Sequence, residues 1–333
     1  ALYSVDVSGR NLKKVFTIHN AAYQGRFSGD KFELSGLPKS FFNWEQMAYY
    51  NDINLLKGGF TFADLVTAVS PQYAKEIVSP EFGCGLEEVF KAKSSKIFGV
   101  LNGVDYSEWN TTNNPYLVAP YSADSPSKKA ENKIALQHEL GLREQSDIPL
   151  FGNISRFAEQ KGIDILIEAL QLRLNTGAVF QFAGLGNGDL SLESAMKALS
   201  ERYPNQIAIR IGYDTRLAHI IEAGTDFFVM PSRFEPCGLN QLYSLRYGSV
   251  PSVRATGGLE NSIIDLQHSI ESATGIKFID PSPTALSQAL DIALDLYHDK
   301  SRLYKVRDNG MRADFSWDRT IIEYDRLYKS IAN

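Results

Sequence analysis

Residues 149–174 read PLFGNISRFAEQKGIDILIEALQLRL and hold a strand, a loop and a helix in one run. The apolar stretch 149–154 suits a buried strand, and Ser155 to Gly162 forms a polar loop. Ile163, Leu166, Ile167, Leu170 and Leu174 then recur at helical spacing, and Asn175-Thr176-Gly177 closes the helix. Short apolar or β-branched runs recur at 15–18, 65–69, 178–183, 206–211, 227–230 and 250–253. Helical patterns fall between several of them: Leu217, Ile220 and Ile221; then Leu239, Leu242, Tyr243 and Tyr247, ending at Gly248. Such alternation predicts an α/β protein with a mostly parallel sheet.

The chain has 333 residues, 44% hydrophobic and 22% charged, the balance of a soluble globular enzyme of about two domains. A net charge of −5 without a basic run speaks against nucleic acid or an anionic membrane as partner. Cys84 and Cys237 stand far apart and form no CxxC, so they read as reduced thiols in a cytoplasmic protein. No apolar stretch is long enough for a membrane span. The opening residues, Ala1 to Asp6, lack the basic and apolar regions of a signal peptide. The first residue is not Met, and the chain is expected to begin inside a longer protein.

A domain boundary is expected near Asn102-Gly103-Val104-Asp105. Residues 105–147 are polar and rich in Asn, Pro and Ser, with one charged helical stretch at 128–140. The expected units are 1–102, a first α/β domain; 103–312, a second; and 313–333, an amphipathic C-terminal helix carrying Ile321, Ile322, Tyr324, Leu327 and Tyr328. The first unit offers about three strands, where open nucleotide-binding sheets usually carry five or six, so it reads as incomplete.

In open parallel sheets ligands bind beyond the carboxyl ends of the strands, which directs attention to the strand-to-helix loops. Arg156 and Lys161 sit just before a helix, where a phosphate would meet free N–H groups and two cations, although both could simply solvate a loop. Gly184-Leu185-Gly186-Asn187-Gly188-Asp189 is an imperfect GxGxxG whose ordinary reading is a tight turn. Tyr213, after the strand at 206–211, could stack on a base or be a partly buried aromatic. In Pro231-Ser232-Arg233-Phe234-Glu235-Pro236-Cys237-Gly238-Leu239, Glu235 is held between an aromatic and a proline and can accept from sugar hydroxyls; an incidental acid before a capped helix is the alternative. Thr256-Gly257-Gly258 opens another helix and can cradle an anion or a hydroxyl. His19 follows the strand 15–18, with a structural role open beside a functional one. No metal-ligand spacing and no GxSxG nucleophile motif occur.

Taken together, His19-Asn20 with Tyr23-Gln24-Gly25, Phe41-Phe42-Asn43, Thr67-Ala68-Val69-Ser70-Pro71, Leu101 to Asp105, Lys129-Ala130-Glu131-Asn132-Lys133, Ser155-Arg156 with Gln160-Lys161-Gly162, Ser232 to Leu239 and Thr256 to Leu259 resemble the bacterial glycogen synthases and plant starch synthases, in order along essentially the whole chain. The resemblance implies a GT-B fold, with two Rossmann-like domains facing a cleft, the first incomplete here, and a C-terminal helix crossing back to it. It implies a retaining transfer of glucose from ADP-glucose to the non-reducing end of an α-1,4-glucan such as glycogen, with no metal or further cofactor.

By position it makes Arg156 and Lys161 the pair on the donor phosphates. Glu235 becomes the acid on the glucose hydroxyls, and Cys237, Gly238 and Leu239 the backbone near glucose and phosphate. Thr256, Gly257 and Gly258 become a neighbouring cradle, and Tyr213 the residue against adenine. Gly184 is implied in substrate binding. His19, with Asn20 beside it, is implied near the transferred sugar, and Asn102 at the hinge. The family's KxGGL loop and HDWH-type segment do not occur in this chain, so about a third of the enzyme is expected to be missing and turnover to be impaired. Three other readings compete: another GT-B transferase with a different sugar nucleotide, an inactive glucan-binding fragment, and an NAD(P) dehydrogenase. The dehydrogenase is disfavoured by the imperfect glycine loop and the lack of a matching acidic ribose residue.

Overall fold

The computed structural model describes residues 12–332. The stretch Ala1 to Asp6, read above for a signal peptide, lies outside them. The chain divides into two compact units: residues up to Asn102 together with those from Asp318 on, and Gly103–Trp317.

In the first unit, β1 (Val15–Ile18), β5 (Leu65–Ala68) and β6 (Ile97–Gly99) form a parallel sheet in the order β1-β5-β6. β5 is central and buried at every residue, which is why only Thr67, paired through its hydroxyl with Thr17, interrupts its apolar run. A second, antiparallel sheet, β2-β4-β3, joins β2 (Arg26–Ser28), β3 (Ala48–Tyr49) and β4 (Asp52–Asn54). Its two- and three-residue strands are too short to show an alternating pattern, and the sequence gives no sign of them. Helix α1 (Leu55–Phe62) starts where the Asn54 side chain accepts from the Lys57 N–H. Helix α2 (Pro71–Glu76) has a Ser70 cap and proline in its first turn, and α3 (Glu87–Ala92) follows.

The second unit has six parallel strands: β7 (Leu150–Ile154), β8 (Gln181–Gly186), β9 (Ile207–Ile211), β10 (Phe227–Met230), β11 (Val250–Arg254) and β12 (Ile276–Phe278), ordered β12-β11-β10-β7-β8-β9. The helices are α4 (Lys129–Leu140), α5 (Ile163–Asn175), α6 (Leu190–Arg202), α7 (Thr215–Gly224), α8 (Asn240–Tyr247), α9 (Gly257–Ser262), α10 (Pro283–His298) and α11 (Lys300–Arg312). β10 shows why its sequence, FFVM, is apolar throughout. Phe227 and Val229 enter the core shared with α5 and α10, whereas Phe228 and Met230 enter the core shared with α4 and α7. The chain runs outward from β7 in one direction and from β10 in the other, so the strand order reverses between these neighbours. This is the Rossmann arrangement, whose crevice lies at the carboxyl ends of the two strands.

Residues 105–128 hold almost no regular structure, yet aromatic groups tie them down. The Trp109 ring stacks on Tyr243 at 3.7 Å and on His219 at 4.1 Å, and the Tyr121 hydroxyl donates to the Tyr247 carbonyl at 2.8 Å. The segment 313–317 also stays with this unit, because the Val104 N–H donates to the Phe315 carbonyl at 2.7 Å. The last helix, α12 (Trp317–Ala332), has Thr320 as its buried residue, and that hydroxyl donates to the Leu101 carbonyl at 3.1 Å. Of its apolar positions, Ile321, Ile322 and Tyr328 are exposed and Tyr324 and Leu327 half-buried.

Glu222 of α7 is fully buried against α8, where Ser244 donates to one carboxyl oxygen at 2.8 Å. Burial lifts its pKa from 4.5 to about 8, opposed by the Ser244 hydrogen bond and Lys129. Between those values the unfolded chain gives up a proton that the folded chain keeps, so this group makes stability fall as pH rises. Thermal melts of Glu222→Gln and the parent chain from pH 5 to pH 8 should show a flatter decline in the variant, by up to roughly 1 kcal/mol per pH unit; parallel declines would contradict a buried neutral carboxyl.

Candidate active site

The loops after β7, β10 and β11 meet at the point where the strand order reverses, and they meet backbone to backbone. A Cβ on Gly162 would strike the Pro231 carbonyl, one on Gly257 the Glu235 carbonyl, and one on Gly258 the Cys237 carbonyl. Gly162 and Gly257 also have positive φ, +66° and +45°, which other residues adopt at a cost. Hydrogen bonds close the same seams: Arg233 N–H to the Gln160 carbonyl at 2.8 Å, and Gly258 N–H to the Glu235 carbonyl at 3.0 Å.

On this frame the Lys161 ammonium donates to Glu235 Oε2 at 2.5 Å, and the Ser232 hydroxyl donates to the same oxygen at 3.0 Å. Glu235 is 5% exposed. A carboxylate held so far from water requires a partner, and Lys161 supplies it. Among the described residues no hydrogen bond engages Oε1, which leaves that oxygen to accept from a ligand hydroxyl. Lys161 and Glu235, read from sequence as a phosphate ligand and a sugar ligand, therefore stand in contact.

The other two arginines of the loops are structural. Arg233 forms a two-pronged pair with Asp164, at 2.7 and 2.6 Å, and donates to the Glu159 carbonyl at 2.7 Å. Its hydrogen bonds hold the Asp164 carboxyl below its usual range. Arg254 is buried, donating through Nε to the Ile279 carbonyl at 2.8 Å and through Nη1 to the Arg233 carbonyl. Neither role was visible in the sequence, because the partners lie 69 positions away for Arg233–Asp164 and 21 for Arg254–Arg233. Arg156, by contrast, is exposed and makes no side-chain hydrogen bond or ion pair among the described residues.

The remaining expected residues divide clearly. Cys237, Thr256, Gly257 and Gly258 are buried beside Glu235, with Gly238 half-buried and Leu239 exposed at the start of α8. Gly184 is corrected: it lies inside β8, paired with Asn153, and not in a loop. The strand begins and ends three residues later than expected because 178–180 are irregular chain between the turn at Thr176-Gly177 and the strand. The glycine-rich loop beyond β8 packs Gly188 on the Phe157 carbonyl, and Asp189 caps α6. Tyr213, after the edge strand β9, is 90% exposed. On the first unit, His19 is exposed just after β1, Asn20 accepts from the Ala22 N–H at 2.9 Å, and Asn102 is half-buried.

Cationic side chains and helix starts at a switch point, beside a carboxylate with one free oxygen, can hold an anion joined to a polyhydroxyl group. No group of His, Cys, Asp or Glu among the described residues is arranged to hold a metal ion, and no helix among them is long and apolar enough to cross a membrane.

Residues 2–92 match the starch synthase catalytic domain family and residues 138–309 the glycosyl transferases group 1 family. The chain is 46% identical over 328 residues to the glycogen synthase of Koribacter versatilis (strain Ellin345), covering 98% of this chain and 67% of that protein. This chain belongs to the glycogen synthase family. It is also 46% identical over 322 residues to the glycogen synthase of Thioalkalivibrio sulfidiphilus (strain HL-EbGR7), covering 96% of this chain and 66% of the relative. It spans about two thirds of the length of these curated relatives. Among solved structures it is similar to the catalytic domain of starch synthase IV from Arabidopsis thaliana bound to ADP and acarbose, with a TM-score of 0.92 and 32% identity over 99% of this chain and 70% of that one. Sucrose-phosphate synthase from Thermosynechococcus elongatus, at 17% identity and a TM-score of 0.60 over 97% of this chain and 69% of that one, shares the fold. The glycogen synthase family fold is the GT-B type of glycosyltransferases.

The loop seams and the exposed cation separate in a melting experiment. Gly258→Ala forces a methyl group onto the Cys237 carbonyl and should lower the melting midpoint by roughly 3–10 °C. Arg156→Ala, which breaks no side-chain hydrogen bond or ion pair among the described residues, should leave it unchanged; equal midpoints for both variants would show that the seam can open at little cost.

Proposed function

We propose that this glycogen synthase family member is a retaining glucosyltransferase that moves glucose from ADP-glucose to the non-reducing end of an α-1,4-glucan such as glycogen. The observation that carries the proposal is the contact between Lys161 and Glu235 at the switch point, a cation for phosphate beside an acid for sugar hydroxyls. The similar starch synthase IV is bound to ADP, which supports an adenine nucleotide as donor.

Departure of ADP places negative charge on a phosphate oxygen and positive character on the anomeric carbon. Arg156 and Lys161 stabilise the first, which is the largest catalytic contribution expected of this site. Lys161 reaches the phosphate by giving up its bond to Glu235, whose carboxylate turns to the glucose hydroxyls. The backbone of Cys237, Gly238 and Leu239 and the Thr256-Gly257-Gly258 turn line the sugar and phosphate, and Tyr213 lies against adenine. Retention through a carboxylate nucleophile would need a second free acid. Asp164 is committed to Arg233, and a front-face displacement fits better: the acceptor hydroxyl enters beside the departing phosphate and passes its proton to that oxygen. The reaction needs no metal or further cofactor, and the setting is cytoplasmic.

ADP release with glycogen as acceptor should fall about 100- to 1,000-fold in kcat for Arg156→Ala and for Lys161→Ala, with ADP-glucose preferred over UDP-glucose by the parent chain. Turnover near the parent level in both variants would refute the phosphate clamp. Glycogen binding without any ADP release would support a glucan-binding role instead.

A further inference from the structure

The motif Lys129-Ala130-Glu131-Asn132-Lys133 has no place in the donor site. It lies in α4, at the amino ends of the strands, whereas the loops that carry Lys161 and Glu235 lie beyond the carboxyl ends. There a cavity of about 330 Å³ is walled by Lys129, Lys133, Lys300 and Arg307, with Asp226 as the one carboxylate and Tyr297 beside them. Four basic side chains thus line the cavity with a single acid.

Part of this charge is used internally. Asp226 accepts from Lys133 at 2.7 Å and from Arg307 at 3.2 Å, and also holds the Leu150 N–H at 3.0 Å. Lys129 donates to the Ala223 carbonyl at 2.7 Å, at the end of α7, and to Ser249. The rest is unspent. Arg307 is 8% exposed, and its buried Nε–H finds no acceptor among the described residues. Lys300 stands over the Tyr297 ring at 3.2 Å and makes no ion pair among the described residues. Lys129 and Ala130, in the first turn of the twelve-residue α4, line the same cavity, where a helix start favours an anion.

Basic groups that outnumber the acids lining a cavity favour an anion there. A buried N–H without an acceptor marks where the neutralising oxygen belongs. We propose that this cavity is a second ligand site, separate from the donor loops, which takes the dianionic phosphate group of a small molecule. Lys300 and the Arg307 guanidinium hold the phosphate, because the Lys133 ammonium is already committed to Asp226, the Tyr297 hydroxyl and the Ser146 and Ile148 carbonyls. The volume lies at the low end for small-molecule pockets and leaves space beyond one phosphate, with Tyr297 and Tyr304 to face the attached group. Burial depresses the pKa of Lys129 well below the usual value, and an anion nearby restores its charge.

The test is thermal unfolding of the full chain against increasing inorganic phosphate and, separately, glycerol 3-phosphate, with chloride holding ionic strength constant. A ligand of the folded state raises the midpoint with its concentration. Parent chain and Arg156→Ala should respond alike, and Lys300→Glu, at an exposed position on the cavity mouth, should require at least tenfold more ligand for the same rise. A stronger response to glycerol 3-phosphate than to phosphate assigns the site to a phosphate ester, and equal responses assign it to the free anion. No response in the parent chain overturns the proposal. So does a response lost in Arg156→Ala but kept in Lys300→Glu, since the anion would then sit at the donor loops.

Discussion

The second unit depends on close backbone approach at the carboxyl ends of β7, β10 and β11. Three carbonyls, of Pro231, Glu235 and Cys237, occupy the space where side chains of Gly162, Gly257 and Gly258 would be. Any larger residue separates the loops. The loops that carry Lys161, Glu235 and Thr256 therefore behave as one rigid surface rather than as separate connections. Arg233 and Arg254 reinforce it from behind, each linking segments distant in sequence. Such backing is what keeps a binding constellation in place, since a side chain is only as well positioned as the groups that support it.

What the sequence revealed follows the strength of each local signal. β10 was legible to the residue because a strand covered on both faces is apolar at every position. Helix α5 was legible because five apolar residues repeat at its period before a glycine stop. β8 was displaced by three residues: its second half, Gly184-Leu185-Gly186, carries glycines that resemble a loop, although they lie in the sheet, where Ile209 and Phe182 crowd Gly184 and the Ser155 carbonyl and Phe157 ring crowd Gly186. The strands of the small antiparallel sheet, and β12 with three residues, are shorter than any periodicity can register.

The site divides along similar lines. Lys161 and Glu235 could be singled out because residues just past strand ends face the crevice in this kind of sheet. Their direct contact could not, because it depends on how two loops fold over each other. Arg233 and Arg156 look alike in sequence as loop arginines, and only the position of Asp164 makes one a brace and leaves the other exposed. The charges around Asp226 were equally hidden: Lys133 and Arg307 reach it from helices on either side, 93 and 81 positions away.

The ion pair between Lys161 and Glu235 has a further consequence for traffic through the site. With no ligand, the charges of Lys161 and Glu235 cancel each other, and Arg156 remains as the exposed cation of these loops. Under the proposed function, an incoming diphosphate competes with a carboxylate for the same ammonium, and breaking a largely buried pair costs on the order of 3–5 kcal/mol unless both halves find new partners. A phosphate alone satisfies only Lys161. A sugar alone satisfies only Glu235. In the proposed reaction, the two joined in one molecule offer partners to both halves of the pair, whereas the spent nucleotide offers one to Lys161 alone.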